Sequence, residues 1–208
     1  MIKLENTEVY GWEAAIRGMR NPMNSWDKSD SVLKVFEDCE IIIGDNDLKL
    51  MKRLAKAGSD HRKFLRMITV TVDITAPIYW VAEHDTYKIG TTRNSCSFMH
   101  RGTAKKFELS DFSFENSETA RELRRTITKL NKLRTKYIET RDESVFRAIR
   151  QLLPSGYNVR YTWHANYEVL ANIYFARRNH RLPEWHTFCD WILTLPYFED
   201  IINAIDKA

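Results

Sequence analysis

From Phe64 to Thr75 the sequence alternates with a period of two. Ile68, Val70, Val72 and Ile74 fall on one side, and Thr69, Thr71, Asp73 and Thr75 on the other. Successive side chains of a strand point to opposite faces, so this segment predicts a half-buried strand. Such a strand persists only when its backbone is paired and its apolar face covered. The rest of the chain supplies mainly helical patterns. Residues 1–10 read as a short strand, and Trp12 to Met19 as a helix with Trp12, Ala15, Ile16 and Met19 on one face. Arg20-Asn21-Pro22-Met23-Asn24-Ser25, with Trp26 nearby, breaks the pattern and reads as a loop or capped turn. Asp45-Asn46-Asp47 offers an N-cap for a helix from Leu48 to Lys56 that ends at Gly58. Pro77 starts a helix carrying Ile78, Trp80 and Val81. Asn116 to Thr140 is a charged helix with Leu123, Ile127, Leu130, Leu133 and Tyr137 as its apolar stripe. Asp142 to Leu153, Tyr161 to Arg178 and Glu184 to Leu195 read as further helices, and Pro196-Tyr197 leads into a last short turn. There is no internal repeat, low-complexity segment or linker, so residues 1–208 are expected to form a single domain.

Composition narrows the class. Hydrophobic residues make up 43% of the chain, with six Trp, nine Tyr and ten Phe, which is enough for a packed core. The net charge of +4 suits anionic ligands but is too mild to indicate nucleic acid. The basic 121–136 stretch carries acidic residues and an apolar stripe, so it reads as a solvated helix face, and no nucleic-acid partner is expected. Cys39, Cys96 and Cys189 are widely spaced and read as reduced thiols. With His164, His180 and His186 they form no metal-ligand spacing, so no metal is expected. No apolar run reaches membrane-spanning length, and Lys3, Glu5 and Glu8 exclude a signal-peptide core. A cytoplasmic protein with no membrane partner is expected.

Candidate binding chemistry concentrates between Arg150 and Arg177. Arg150 precedes a Leu152-Leu153-Pro154 helix stop. Leu170, Ile173, Tyr174 and Arg177 then follow Asn166 at helical steps, with Asn172 among them. Asn is a poor choice inside a helix. Two arginines and two amides suit a phosphorylated ligand, because guanidinium forks match phosphate oxygens and amides match ring edges. A solvated helix with two capping amides fits the same spacing. His61, flanked by Asp60 and Arg62, reads by itself as a surface or capping residue. Ser97 has no His and acid partners arranged in sequence and does not read as a serine nucleophile.

The stretch Arg150, Leu153-Pro154, Trp163, Asn166, Leu170, Asn172 and Arg177 resembles, without a gap, the C-terminal signature of the flavin-dependent thymidylate synthases. A second match lies upstream. His61 and Pro77 keep the sixteen-residue spacing of that family. Lys88, Thr91, Asn94 and Ser97 then match, with one inserted residue, the block that follows the Pro. The sequence departs from the family at Thr86, Tyr87, Ser95 and Met99, at Glu83, which replaces a substrate-binding Gln, and at Glu168, which replaces a flavin-binding Arg. The acidic residue near the start of the family's last helix is matched only loosely, by Glu184-Trp185-His186.

The resemblance implies an α/β (α+β) fold, with a central, mainly antiparallel sheet surrounded by helices. It implies reductive methylation of dUMP to dTMP, with FAD as cofactor and NADPH and methylenetetrahydrofolate as co-substrates. Arg150, Arg177, Glu83 and Ser97 become dUMP contacts, while His61, Tyr87, Lys88, Thr91, Asn94, Asn166 and Asn172 become FAD contacts. Ser97 and His61 fall at the catalytic positions, Ser97 orienting dUMP and His61 touching flavin or folate. A Lys at position 88 supplies charge to a phosphate but no planar fork, and Gly90 relieves crowding where a nucleotide nears the backbone. The family also implies a homotetramer. Two other classes remain open: a catalytically degenerate nucleotide-binding homologue, and a flavoenzyme acting on another pyrimidine nucleotide.

Overall fold

A computed structural model describes residues 2–34, 40–97 and 102–206. Cys39 and Met99 therefore lie outside the described residues. Four strands, β1 (Lys3–Tyr10), β4 (Thr69–Pro77), β5 (Thr92–Ser95) and β6 (Asn158–Asn166), form an antiparallel sheet in the order β1-β4-β6-β5. β2 (Val32–Lys34) and β3 (Glu40–Ile42) form a separate antiparallel pair, with Val32 opposite Ile42. The expected α+β fold on a mainly antiparallel sheet is the one observed. Within β4, Val70, Val72, Ile74 and Ala76 are wholly buried and the threonines and Asp73 are not, as the period-two pattern requires.

The chain divides into two compact units. The first comprises Met1–Lys3, Asp73–Thr86 and Arg93–Thr162. It holds α3 (Ile78–His84), α4 (Ser117–Thr140) and α5 (Glu143–Leu152). Asn116 caps α4 by accepting the Thr119 amide at 2.9 Å, and Asp142 caps α5 by accepting the Ser144 amide at 2.8 Å. These side chains satisfy amides that a helix start leaves without partners. Leu123, Ile127 and Leu130 of α4 pack with Ile149 of α5 and with Phe107 and Phe112. On the exposed sheet face, Asp73 accepts hydrogen bonds from Thr162 at 2.6 Å and Arg160 at 3.1 Å.

The second unit comprises Leu4–Val72, Tyr87–Thr92 and Trp163–Ala208. It holds α1 (Trp12–Arg20), α2 (Asp45–Lys56), α6 (Tyr167–Arg177), α7 (Pro183–Leu193) and α8 (Phe198–Asp206). Its core is aromatic: Trp12 meets Tyr167 edge-on at 5.4 Å, and Tyr167 meets Phe198 at 4.9 Å. Such edge-to-face pairs match the positive rim of one ring to the negative face of another. Gly11 starts α1 at φ +91°, and a Cβ there would stand 2.0 Å from the Met67 carbonyl oxygen, so only glycine fits.

Several element boundaries differ from expectation. Tyr161 to Asn166 is strand, not helix: Tyr161, Trp163 and Ala165 are buried and Thr162 is exposed, which is the period of a strand. Helix α6 begins only at Tyr167. The Asp45-Asn46-Asp47 run lies inside the first turn of α2 and does not cap it. The Asp30 carboxylate instead accepts the amides of Asn46 at 2.9 Å and Asp47 at 3.1 Å. Residues Lys63–Arg66 form a short 3-10 turn before β4, and Pro77 closes that strand, so α3 starts one residue later. The expected final turn is the nine-residue helix α8.

Candidate functional site

The second unit contains His61, Tyr87, Lys88, Thr91, Asn166, Asn172 and Arg177. At the end of α6 the Arg177 Nε donates to the Tyr87 hydroxyl at 2.9 Å. The guanidinium carbon lies 4.7 Å from the Trp185 ring centre and 5.6 Å from that of Tyr87. The two rings themselves meet edge-on at 6.0 Å. A guanidinium held by the Tyr87 hydroxyl and two aromatic faces keeps its charge while losing rotamer freedom, which prepares it for an anion. Tyr87 thus orients Arg177.

The Tyr87–Thr92 segment folds back on itself and lies against the start of α6. Thr91 donates its hydroxyl to the Tyr87 carbonyl at 2.7 Å. Gly90 sits at φ +72°, and a Cβ there would come within 3.2 Å of both Asn166 Nδ2 and Val169 Cγ2. Its glycine is therefore required by the chain's own close approach to α6. Asn166 is the N-cap of α6, its Oδ1 accepting the Val169 amide at 3.0 Å. Its side-chain oxygen is thus committed to the helix. Asn172, Lys88 and His61 are exposed. The His61 amide donates to the Gly58 carbonyl at 3.0 Å, which holds that residue in a turn.

Arg62, beside His61, is the residue that sequence reasoning passed over. Its Nε donates to both carboxylate oxygens of Glu168, each at 3.1 Å, and both side chains are largely buried. The negative charge of Glu168 is therefore neutralised by the Arg62 guanidinium. An acid at position 168, where the resemblance expects an arginine, with an unassigned arginine at position 62, was the available signal. His61, Lys88, Arg177 and the side-chain amides of Asn166 and Asn172 all offer hydrogen-bond donors, and the Glu168 carboxylate is paired with Arg62. Donors of this kind suit a phosphate group.

The first unit holds Glu83, Asn94, Ser97 and Arg150. Glu83 is half-buried in the last turn of α3, and its carbonyl accepts the Thr86 hydroxyl at 2.7 Å. Asn94 is exposed on β5, Ser97 is half-buried just beyond it, and Arg150 is exposed in the last turn of α5. Arg93, the residue beside the insertion, organises this region. It donates to Ser95 Oγ at 2.6 Å, pairs with Asp85, and lies 4.3 Å above the Tyr161 ring. Beneath it, buried His84 stacks on Trp80 at 4.8 Å and shares a hydrogen bond with the Tyr161 hydroxyl at 3.2 Å. Burial, reinforced by the charge of Arg93, pushes His84 down to about 3, and burial pushes the Tyr161 phenol up. Both are neutral at pH 7 and form a polar core, not an acid–base pair.

Among the described residues, no group of three His, Cys, Asp or Glu side chains is placed to hold a metal. Cys96 and Cys189 are free thiols, and burial, with the nearby Asp190 charge, pushes Cys189 up to about 11. His164 shares a hydrogen bond with Thr71 at 3.0 Å, a structural use. No helix among the described residues is long and apolar enough to cross a membrane.

No protein-family model and no curated protein matches this sequence. Solved structures match it along nearly its whole length. Thymidylate synthase X (ThyX) from Helicobacter pylori, with FAD and dUMP, superposes with a TM-score of 0.73 at 14% identity, covering 99% of each chain. A second structure of that flavin-dependent enzyme, complexed with FAD and dUMP, gives 0.71 at 16% identity, covering 96% of this chain and 97% of the other. A UMP/dUMP methylase, PolB, from Streptomyces cacaoi bound with 5-Br dUMP gives 0.61 at 14% identity, covering 100% and 94%. At such identities the likeness establishes the fold: this chain has the fold of these proteins.

Proposed function

We propose that this protein is an FAD-dependent thymidylate synthase-like enzyme that reductively methylates dUMP to dTMP, using methylenetetrahydrofolate and NADPH. The observation that carries the reading is the Arg177 guanidinium, held by the Tyr87 hydroxyl and the Trp185 face at a position the family uses for dUMP. The fold shared with proteins crystallised with FAD and dUMP supports it. In this reading Arg177 and Arg150 bind the dUMP phosphate, Ser97 orients the pyrimidine, and Glu83 contacts it. Asn166, through its amide nitrogen, and Asn172 hold the flavin nucleotide, with His61, Tyr87, Lys88, Thr91 and Asn94 completing its contacts. FAD, when bound, supplies the hydride chemistry, and the protein contributes positioning and electrostatics. The same reading takes residues 1–208 as one ThyX-like domain, assembled as a homotetramer in the cytoplasm.

A second reading keeps the cofactor and changes the substrate to a related pyrimidine nucleotide. The likeness to a UMP/dUMP methylase favours it, together with the carboxylate of Glu83 where the family uses an amide. The deciding experiment is the visible absorption spectrum of the purified protein with saturating FAD, followed by NADPH oxidation with dUMP or UMP. A flavin band with dUMP-dependent oxidation supports the first reading. Activity with UMP alone selects the second. Absence of any flavin band on the protein after incubation with saturating FAD and removal of unbound flavin sinks both and leaves a degenerate nucleotide-binding homologue.

A further inference from the structure

A cleft of about 540 Å³ opens beside α2, in the second unit, and four of its lining residues are cations: Arg20, Lys28, Lys49 and Arg53. Asn46, Lys49, Leu50 and Arg53 recur at helical steps, so they share one face of α2. Among the described residues no carboxylate lines the cleft. Asp47, a carboxylate close by, is fully buried and turned to other partners. It accepts Arg20 Nε at 2.7 Å, the Ser29 and Ser31 hydroxyls at 2.8 and 2.7 Å, and the amides of Asp30 and Ser31 at 3.1 Å. Burial alone would raise Asp47, but the hydrogen bonds from Ser31, Ser29, Arg20 and the Asp30 amide outweigh it and hold the carboxyl below its ordinary value. One buried anion thus balances one of the four cations, and three positive charges face the cleft uncompensated by its lining.

Arg20 provides the independent observation. Its side chain is 4% exposed, with Nε on Asp47 and Nη1 on the Ser25 carbonyl at 3.1 Å. Its Nη2 is buried with no hydrogen-bond partner. Nearly all buried donors in folded proteins have an acceptor, so an orphaned guanidinium N–H in a residue lining a cationic cleft points to an acceptor that belongs there. Lys49 and Arg53, one turn apart on α2, also repel each other in its absence. The amides at the start of α2 take no part, since the Asp30 carboxylate already occupies them.

We propose that this cleft is a second anion site that binds a phosphate-bearing small molecule. Arg20 forms its floor, Lys49 and Arg53 clamp from α2, and Lys28 closes it from the preceding turn. Met23 and Leu50 add apolar surface for an organic portion. None of these residues belongs to the set assigned to dUMP or FAD, so the site stands or falls apart from that reading.

Isothermal titration of the full chain at low salt, with inorganic pyrophosphate and separately with ribose 5-phosphate, tests this. Saturable binding of at least one is expected, weakened at least tenfold in the Lys49→Ala/Arg53→Ala protein and weakened by added salt. Both side chains are exposed, so that variant retains its fold, which circular dichroism checks. The control Lys52→Ala removes a cation of the same helix that pairs with Asp200 at 2.6 Å, and it leaves binding unchanged. Binding of ribose 5-phosphate alone assigns the site to phosphate esters, and binding of pyrophosphate assigns it to the phosphate group itself. No saturable binding of either probe overturns the proposal. So does binding that survives the double substitution, falls equally with Lys52→Ala, or disappears with Arg177→Ala.

Discussion

Arg62 reaches Glu168 across 106 positions of sequence and places its Nε equidistant, at 3.1 Å, from both carboxylate oxygens. The pair is mostly shielded from water, so removing one partner strands the other. Arg62→Ala is expected to destabilise the protein by about 1–3 kcal/mol, the cost of an unsatisfied buried charged group. Adding Glu168→Gln returns part of that loss, because the stranded charge is gone. Urea unfolding of the two single variants and the double variant measures the coupling. Purely additive effects would show that the pair contributes nothing.

Tyr87→Phe keeps the ring beside Arg177 and removes only the hydroxyl that accepts its Nε. Affinity for dUMP should fall by about three- to tenfold, roughly one hydrogen bond, with the folded state little changed. Arg177→Lys should cost more, since an ammonium has no planar fork for phosphate. Equilibrium titration with dUMP distinguishes them. Equal affinity in Tyr87→Phe and the parent protein would remove Tyr87 from the binding machinery.

Asn166 has two separable uses. Its Oδ1 caps α6, while its Nδ2 is the group proposed to face the flavin nucleotide. Asn166→Asp retains a capping oxygen and loses the donor, so stability holds while FAD affinity drops. Asn166→Ala loses the cap as well and costs about 0.5–2 kcal/mol. Thermal unfolding and FAD titration on the same samples separate the two roles. If Asp and Ala weaken FAD binding only in proportion to stability, Asn166 is a cap and nothing more.

His84 makes stability depend on pH. Its folded value of about 3 lies below the ordinary 6.5, so the unfolded chain binds a proton over that interval and the folded chain does not. The contribution is fully present above pH 6.5 and is lost as pH falls from 6.5 towards 3. The slope is about 1.4 kcal/mol per pH unit. Urea midpoints of the parent protein and His84→Leu between pH 7 and about 4 provide the check. The difference in slope between the two should carry this signature, and identical slopes would contradict it.

Gly90 reports on how the Tyr87–Thr92 segment meets α6. Gly90→Ala must accept φ +72° and crowd Asn166 Nδ2 and Val169 Cγ2, each 3.2 Å from the new Cβ. A loss of about 1–2 kcal/mol follows from left-handed backbone alone. A larger loss of dUMP and FAD affinity should accompany it, because Tyr87 moves with the segment. Unchanged binding would uncouple this segment from the site.

Local patterns were legible wherever one period dominated. The alternation of β4, the apolar stripe of α4, and the Trp12 face of α1 all appear as the sequence predicts, because burial of one face is written into residue spacing. The segment before Asn166 misled because Tyr161, Trp163 and Ala165 were read together with the helical spacing that follows them. A single capping amide separates the two periods. The short pair β2 and β3 carried no such pattern, since a three-residue strand is defined by its partner.

By itself the sequence determined the α+β character, most helix positions, and which positions resemble a nucleotide site. Charge neutralisation was beyond it. Glu168 read alone is an acid where the resemblance expects an arginine, and Tyr87 only a departure from that resemblance. Only the tertiary structure sets Arg62 against the first and Arg177 against the second. Helix and strand periods depend on neighbours a few residues away, whereas an ion pair depends on a distance in space that the chain closes only by folding.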